Sequence, residues 1–455
     1  MNVGNSMTPF YCGERLTNAQ LKFQWTNVDW KIVVKRVNRL QTRITKAVIQ
    51  RKWHLVKRLQ YLLTHSFYAK LLAVREICQN EGKRTAGVDG EKWLTPEAQM
   101  TAALNLSDKN YKAKPLRRVY IEKHGKKEKR PLSIPTMYDR AVQALYALAL
   151  NPVAEATADI ASFGFRKCRS AQDACGQAFI CLSTKQSAQW VLEGDIKGCF
   201  DNINHEWLLT NIPMDKSMLK QFLKAGFVYK RHLNPTKAGT PQGGVISPVL
   251  ANMTLDGFET AISTKYYTNK SGKIDKRNCN HRKVNFVRYA DDFIVTADSE
   301  ETAQEIAELI RLFLKNRGLE LSENKTLITH IDDGFDFLGW NFRKYNGKLL
   351  IKPSKKSIDK ITRKISEVIK DGKAWKQEVL IDALNPIITG WSNYHQSVVS
   401  KDIFRKLDHL MWNMLWKWAK RRHPQKSKLW IVNKYWHNEG TRKWMFSTGR
   451  NKLKL

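Results

Sequence analysis

The chain has 455 residues, with 78 Lys and Arg against 42 Asp and Glu and a formal net charge of +36. Such length allows two to four domains, and a positive excess far beyond what solubility needs points to a polyanionic partner, nucleic acid ahead of an anionic membrane surface. No apolar run approaches the roughly 18 residues of a spanning helix. The N-terminal MNVGNSMTPFYCGERL has no signal-peptide core, so a soluble intracellular protein is expected. The seven cysteines are odd in number and form no CxxC pair, which speaks against a disulfide framework or a structural zinc site.

Residues 1–28 read as poorly structured. Residues 29–49 predict a helix, because Ile32, Val33, Val37, Leu40, Ile44 and Val48 recur at helical spacing while Lys31, Lys35, Arg36, Arg39, Arg43 and Lys46 occupy other faces. Residues 52–79 repeat the style with Trp53, Leu55, Val56, Leu59, Leu62 and Leu63. Ordinary solvation and RNA contact both account for these basic faces, and the total charge favours RNA. The stretch NEGKRTAGVDG is a turn-rich boundary. Residues 111–136 then alternate around Val119, Tyr120 and Ile121, turn at His124-Gly125-Lys126 and resume at Pro131, a β-hairpin pattern. Its cations, Arg117, Lys123 and Arg130 among them, suit a triphosphate or a template backbone, and equally suit a lysine-guarded sheet edge. Residues 139–151 predict a helix ended by Pro152, and Ser170 is the expected N-cap of the next.

The chemistry concentrates in three stretches. The apolar run Trp190 to Leu192 reads as a strand that delivers Asp195 at its end. In GTPQGGVISP, Gly239, Gly243 and Gly244 let backbone approach a ligand, and Ser247-Pro248 opens a helix. In NFVRYADDFIVT, Asp291 and Asp292 stand at the tip of a predicted hairpin. Adjacent carboxylates repel each other, so within a cleft a divalent cation is their natural compensation. Asp195 would complete a two-metal site of the kind used for nucleotidyl transfer. The plain alternative is a surface β-turn. Farther on, Ile358, Ile361, Ile365, Val368 and Ile369 form one stripe of a helix over 357–370, with Gly372 as its stop. A helix over 404–422 follows, with Leu407, Leu410, Met411, Met414, Leu415 and Trp418 as its core stripe. Its Trp412 and Trp416 suit a packed core or a membrane belt. The tail over 421–436 suits nucleic acid or a small packed subdomain, and Cys279 with His281 reads as a loop rather than a ligand set.

The succession RPLSIPT, FGFRKCRSAQDA, DIKGCFDNI, GTPQGGVISPVLAN, RYADDFIV, LSENKT and FLGW resembles that of reverse transcriptases, most closely the group II intron-encoded ones. LLTHSFYAKLLAV and GWSNYH resemble that family's N-terminal extension and its thumb or maturase region. The resemblance implies an α+β right hand: a helical RNA-binding extension over 1–80, fingers and an antiparallel palm over 81–345, a helical thumb or maturase region over 346–424, and a basic nucleic-acid-binding region over 425–455. It implies that Asp195, Asp291 and Asp292 hold two Mg²⁺ ions with help from the Ile196 carbonyl. Gln242 and Gly243 would lie against the nascent base pair, and Arg117, Lys123 and Arg130 would hold template or incoming dNTP. Lys325 would stand near the pyrophosphate, and Phe337, Leu338, Gly339 and Trp340 would grip the primer. Phe200, five residues after Asp195, would block the ribose 2′-OH.

The implied activity is RNA-directed DNA synthesis from an RNA template and a DNA primer, joined to binding of a structured group II intron RNA whose splicing and retromobility it assists. Three alternatives stand beside it. Intact carboxylates argue against a non-enzymatic maturase, and Phe200 argues against an RNA-dependent RNA polymerase. A domesticated reverse transcriptase of repair or phage and CRISPR defence stays open. Longer members carry an HNH endonuclease with paired cysteines, and the sequence has neither, so the form without a nicking module is expected. The bacterial cytoplasm, at the nucleoid, is the expected location, with an organelle left open, and the oligomeric state stands open between monomer and homodimer.

Overall fold

Thr17 opens a helix inside the stretch expected to lack structure. Its side chain accepts from the Gln20 backbone while the Gln20 side chain accepts from the Thr17 backbone, a capping box that starts helix Asn18–Thr26. The computed structural model describes residues 16–122, 129–439 and 442–454. These form two units, one from residues up to Ile160 with Ile196–Ala261 and Ile310–Leu321, the other from Ala161–Asp195, Ile262–Leu309 and the residues from Ser322 onward.

In the first unit, Asp29 caps helix Trp30–Ile49, whose Val33, Val37, Ile44 and Val48 face inward. Ile32, expected on that stripe, is 49% exposed. The single helix expected over 52–79 is two, Trp53–Thr64 and Phe67–Gln79, separated by His65 and Ser66. A further helix, Pro96–Asn105, is capped by Thr95 and was not anticipated. The helices Trp30–Ile49, Trp53–Thr64 and Phe67–Gln79 all pack on a central one, Met137–Thr157. That helix passes through Pro152 instead of ending there. Proline leaves the carbonyl four residues earlier without its helical donor, and the Gln41 side chain supplies one, donating Nε2 to the Leu148 oxygen at 2.8 Å. The expected hairpin forms from Leu116–Glu122 and Lys129–Ile134, with Val119 opposite Leu132. Its tip, Lys123 included, lies outside the described residues. Two short strands, Phe227–Tyr229 and His232–Asn234, extend the hairpin to a four-stranded sheet.

The second unit is built on an antiparallel sheet ordered Asn285–Tyr289, Asp292–Ala297, Trp190–Asp195, Leu327–His330. Val191, Val287 and Ile294 from this sheet join Ala174, Cys175 and Ala178 of helix Ala171–Leu182 in one core. A three-stranded sheet, Phe335–Phe337, Trp340–Tyr345 and Lys348–Pro353, follows. Helices Lys355–Asp371, Gln377–His395 and Lys401–Arg422 then enclose a second core around Ile365, Leu384, Met411 and Trp418. The middle helix was not predicted; it carries GWSNYH. Leu410, expected in the stripe of the last helix, is exposed. Trp412 and Trp416 stack on each other against this core, and no helix among the described residues is long and apolar enough to cross a membrane. The tail forms helix Lys428–Tyr435 and the hairpin Trp436–Glu439 with Arg442–Phe446, burying Tyr435, Trp436 and Phe446.

Candidate active site

Strand Trp190–Asp195 and the YADD hairpin bring the three predicted aspartates together. Asp195 is the cross-strand partner of Asp292, and Asp291 is in the turn just before it. The turn is held from behind. Ala290 adopts a left-handed backbone, φ 58°, and Gly164 abuts it so closely that a Cβ there would come within 2.9 Å of the Tyr289 carbonyl carbon and nearer still to the Ala290 nitrogen. Phe163 and Ala161 exchange backbone hydrogen bonds with Arg288, each at 2.9 Å. The Arg288 side chain is wholly buried and donates Nη1 to the Ala290 oxygen at 3.2 Å. The sequence marks Gly164 as a turn residue but not as a support of the aspartate turn, and it leaves Arg288 without a role, although the FGFR and RYADD phrases contain them.

Three carboxylates this close raise each other's cost of ionisation. The Asp292 carboxyl is pushed up to about 7, first by desolvation within the strand pair, then by the charges of Asp291 and Asp195, with Lys325 opposing. Lys325 belongs to a short turn, Glu323–Lys325, that is tied to the site by the Ser322 amide donating to the Asp195 oxygen at 2.8 Å. Its Nζ donates to Asp195 Oδ2 at 2.7 Å. A cation on the lysine stem thus already answers the carboxylate charge. Among the described residues no trio of His, Cys, Asp or Glu is drawn into a ready ligand cluster. The fit to Mg²⁺ lies in the donor chemistry, hard carboxylate oxygens whose mutual repulsion a divalent ion relieves. Asp292 is crowded by neighbouring atoms on its strand-pair side yet exposed overall, so its carboxyl is open to solvent.

In the same unit, Leu338 and Gly339 form a two-residue turn with φ 51° and 83° between strands paired at Phe337 and Trp340. Phe337 and Trp340 are buried, so of the FLGW residues only Leu338 and Gly339 in the turn reach solvent. Trp340 stacks on Tyr394 at 4.5 Å, and Tyr394 Oη donates to the Leu338 oxygen at 2.8 Å. Ser357 Oγ lies 3.0 Å from His395 Nε2 and accepts from Trp391 Nε1 at 3.1 Å. The turn is therefore fixed to helices that the sequence did not reveal as its neighbours.

The remaining expected residues belong to the first unit. Phe200 is half-buried on the short helix Cys199–Asn202, and its carbonyl accepts from the Thr240 amide at 2.7 Å. Gln242 donates Nε2 to Asp201 Oδ2 at 3.1 Å, while its carbonyl accepts from the Ser133 amide at 2.7 Å. Gly243, at φ 109°, leaves no room for a Cβ, which would stand 2.7 Å from the Ser133 oxygen. The glycine loop is thereby closed onto the second strand of the basic hairpin. Arg117 donates Nε to the Ala86 oxygen at 3.0 Å, Arg130 is exposed, and Ile196 is buried and bridged to Leu321.

A model of the reverse transcriptase (RNA-dependent DNA polymerase) family matches residues 121–342, which contain all three aspartates, and places the chain in the class of reverse transcriptases. Residues 25–106 match the N-terminal domain of reverse transcriptase and residues 358–436 the group II intron maturase-specific domain. The chain belongs to the family of group II intron-encoded reverse transcriptases and maturases. It is similar to the group II intron-encoded protein LtrA of Lactococcus lactis subsp. cremoris, 33% identical over 62% of this chain and 56% of that protein. Protein YkfC of Escherichia coli (strain K12) is 32% identical over 59% of this chain and 78% of its own length. Maturase-like protein 1 of Euglena gracilis is 25% identical over 82% and 77%. The chain thus spans only about half of LtrA, the first of these relatives.

Proposed function

We propose that this chain is an RNA-directed DNA polymerase that extends a DNA primer on an RNA template, and that it binds a group II intron RNA to assist splicing and mobility. The observation that carries the reading is the convergence of Asp195, Asp291 and Asp292 beside Lys325. Asp195, Asp291 and Asp292, with the Ile196 carbonyl, would hold two Mg²⁺ ions, which when bound supply Lewis-acid activation of the primer hydroxyl and neutralise the leaving group.

This chain's own residues do the rest. Lys325, which holds Asp195 Oδ2, would lie near the pyrophosphate and supply it a proton. Phe200 excludes a ribose 2′-OH by bulk, and Gln242 and Gly243 present the closed glycine loop to the base pair. Arg117, Lys123 and Arg130 bind template or triphosphate charge, and the Leu338-Gly339 turn steadies the primer end. In this reading the basic-hairpin sheet serves as fingers, the aspartate sheet as palm and the helices after Lys355 as thumb. The basic N-terminal helices and the C-terminal region bind nucleic acid.

The test is the double change Asp291→Asn with Asp292→Asn. It removes two charges from the site while leaving the basic surfaces intact, so cDNA synthesis should vanish. Affinity for structured RNA should stay within a few-fold, since distant changes shift binding by well under ~1 kcal/mol. Synthesis persisting in a folded double variant overturns the catalytic assignment. Loss of RNA affinity overturns a separate maturase surface.

A further inference from the structure

We propose that the cleft between helix Lys401–Arg422 and the C-terminal hairpin binds one unstacked nucleobase of a single-stranded nucleic acid. The cleft encloses about 600 Å³ and is lined by Trp412, Trp436 and Trp444, with Arg405, Asp408 and His409 among its polar groups. Trp412 and Trp416 stack in parallel at 5.5 Å, and Trp436 meets both at 5.8 Å with its plane turned by 44° and 45°. The three rings form one contacting cluster, and Trp412 and Trp436 give the cleft its apolar floor.

Trp444 stands beside it, 52% exposed and with φ 63°. A bulky non-glycine residue is uncommon in that region and marks a local irregularity of the strand. The pairing of the hairpin accounts for this backbone, since the register shifts between His437 and Glu439 and leaves an extra residue on the Trp444 strand, a β-bulge in which the Trp444 amide donates to Asn438 Oδ1 at 3.3 Å. The bulge re-aims the ring into the mouth of the cleft.

The occupant follows from charge and from the polar groups. Lys401, Arg405 and His409 recur every four residues along one face of the helix and lead to Trp412 and Trp416. A phosphodiester can follow the cations while its base enters the aromatic recess, the combination that holds single strands. Among the described residues Arg405 is engaged by the exposed Asp402, at 3.1 Å, a pairing weak enough to exchange for phosphate. Arg405 and His409 line the cleft and offer donors to the acceptor edge of a free base. A base inside a duplex is stacked on both faces and cannot enter.

The proposal rests on the chain's binding nucleic acid and not on its polymerising it. The experiment uses the full chain with a short single strand carrying one 2-aminopurine, in RNA and DNA versions, and with the same sequence as a duplex. Stacking should quench the probe in the single strands. Trp444→Ala should remove the quench and weaken single-strand binding about 10-fold, and Trp444→Phe should restore most of it. Duplex affinity should fall far less than single-strand affinity, and thermal melting should show that the variant is folded. Stronger quenching by the RNA or the DNA version identifies the source of the base and supports the site either way. Unaltered quenching in Trp444→Ala, or an equal loss on the duplex, overturns it. Wild-type protein that extends primers but quenches neither strand overturns this site alone, whereas absence of both activities removes the nucleic-acid reading too.

Discussion

Gly194→Ala probes how tightly the strand bearing Asp195 is fitted to the YADD hairpin. Gly194 is the cross-strand partner of Phe293, whose ring lies over it. An added Cβ would stand 2.6 Å from Cε1 and closer still to Cζ and Cε2, distances that real side chains do not show, so either the ring or the strand must move. Phe293 is 1% exposed with Phe286 against it at 6.2 Å, so the ring has no free volume to enter. Overpacking of this kind costs about 1–3 kcal/mol. Because Asp195 is the next residue, a shift near 1 Å should lower the rate of nucleotide addition about 100-fold. Urea unfolding should show a lower midpoint at unchanged slope, and single-turnover primer extension should show the rate loss. Phe293→Leu alone leaves a small cavity and also destabilises. In the Gly194→Ala background it removes the clash, so the pair should cost less than the sum by about 1 kcal/mol or more. Wild-type stability in Gly194→Ala, or strict additivity in the double variant, would refute the packing argument.

Phe200→Ala should raise ribonucleotide incorporation about tenfold or more, the loss of a steric block worth ~1.4 kcal/mol, and unchanged dNTP/NTP selectivity in primer extension would defeat the assignment. Replacing Lys31, Lys35, Arg36 and Arg39 by Gln should lower the log–log salt slope of RNA binding by roughly 3. These residues are exposed, so Val33, Val37 and Ile44 keep the helix in place, and an unchanged slope would put the RNA elsewhere. His395 is buried, and burial holds its imidazole down to about 4. The unfolded chain takes up that proton near 6.5 and the folded chain only near 4. Its contribution is therefore complete above about pH 6.5 and declines by about 3 kcal/mol as pH falls to about 4. Urea midpoints across that window should fall in the wild type and flatten in His395→Gln, and equal slopes would exclude His395 as the cause.

The sequence by itself determined the local elements that carry the three aspartates. Asp195 at a strand end and Asp291-Asp292 in a hairpin turn were legible because carboxylate type, apolar flanks and spacing are all local. The same holds for the Ser170 cap and the basic hairpin. The Thr17-x-x-Gln20 capping signal was equally local and was passed over in a polar segment. The tertiary structure alone decided the rest. Pro152 reads as a helix stop until Gln41, 107 positions away, serves the freed Leu148 carbonyl. Ile32 belongs to the apolar stripe by spacing, yet it is exposed because no partner surface among the described residues covers it. Gly164 and Gly194 look like ordinary glycines until the Ala290 backbone and the Phe293 ring occupy the space of their missing Cβ atoms. Periodicity records which residues share a face, but burial, close approach and the donor for an orphaned carbonyl each depend on a second segment, and the fold alone brings that segment near.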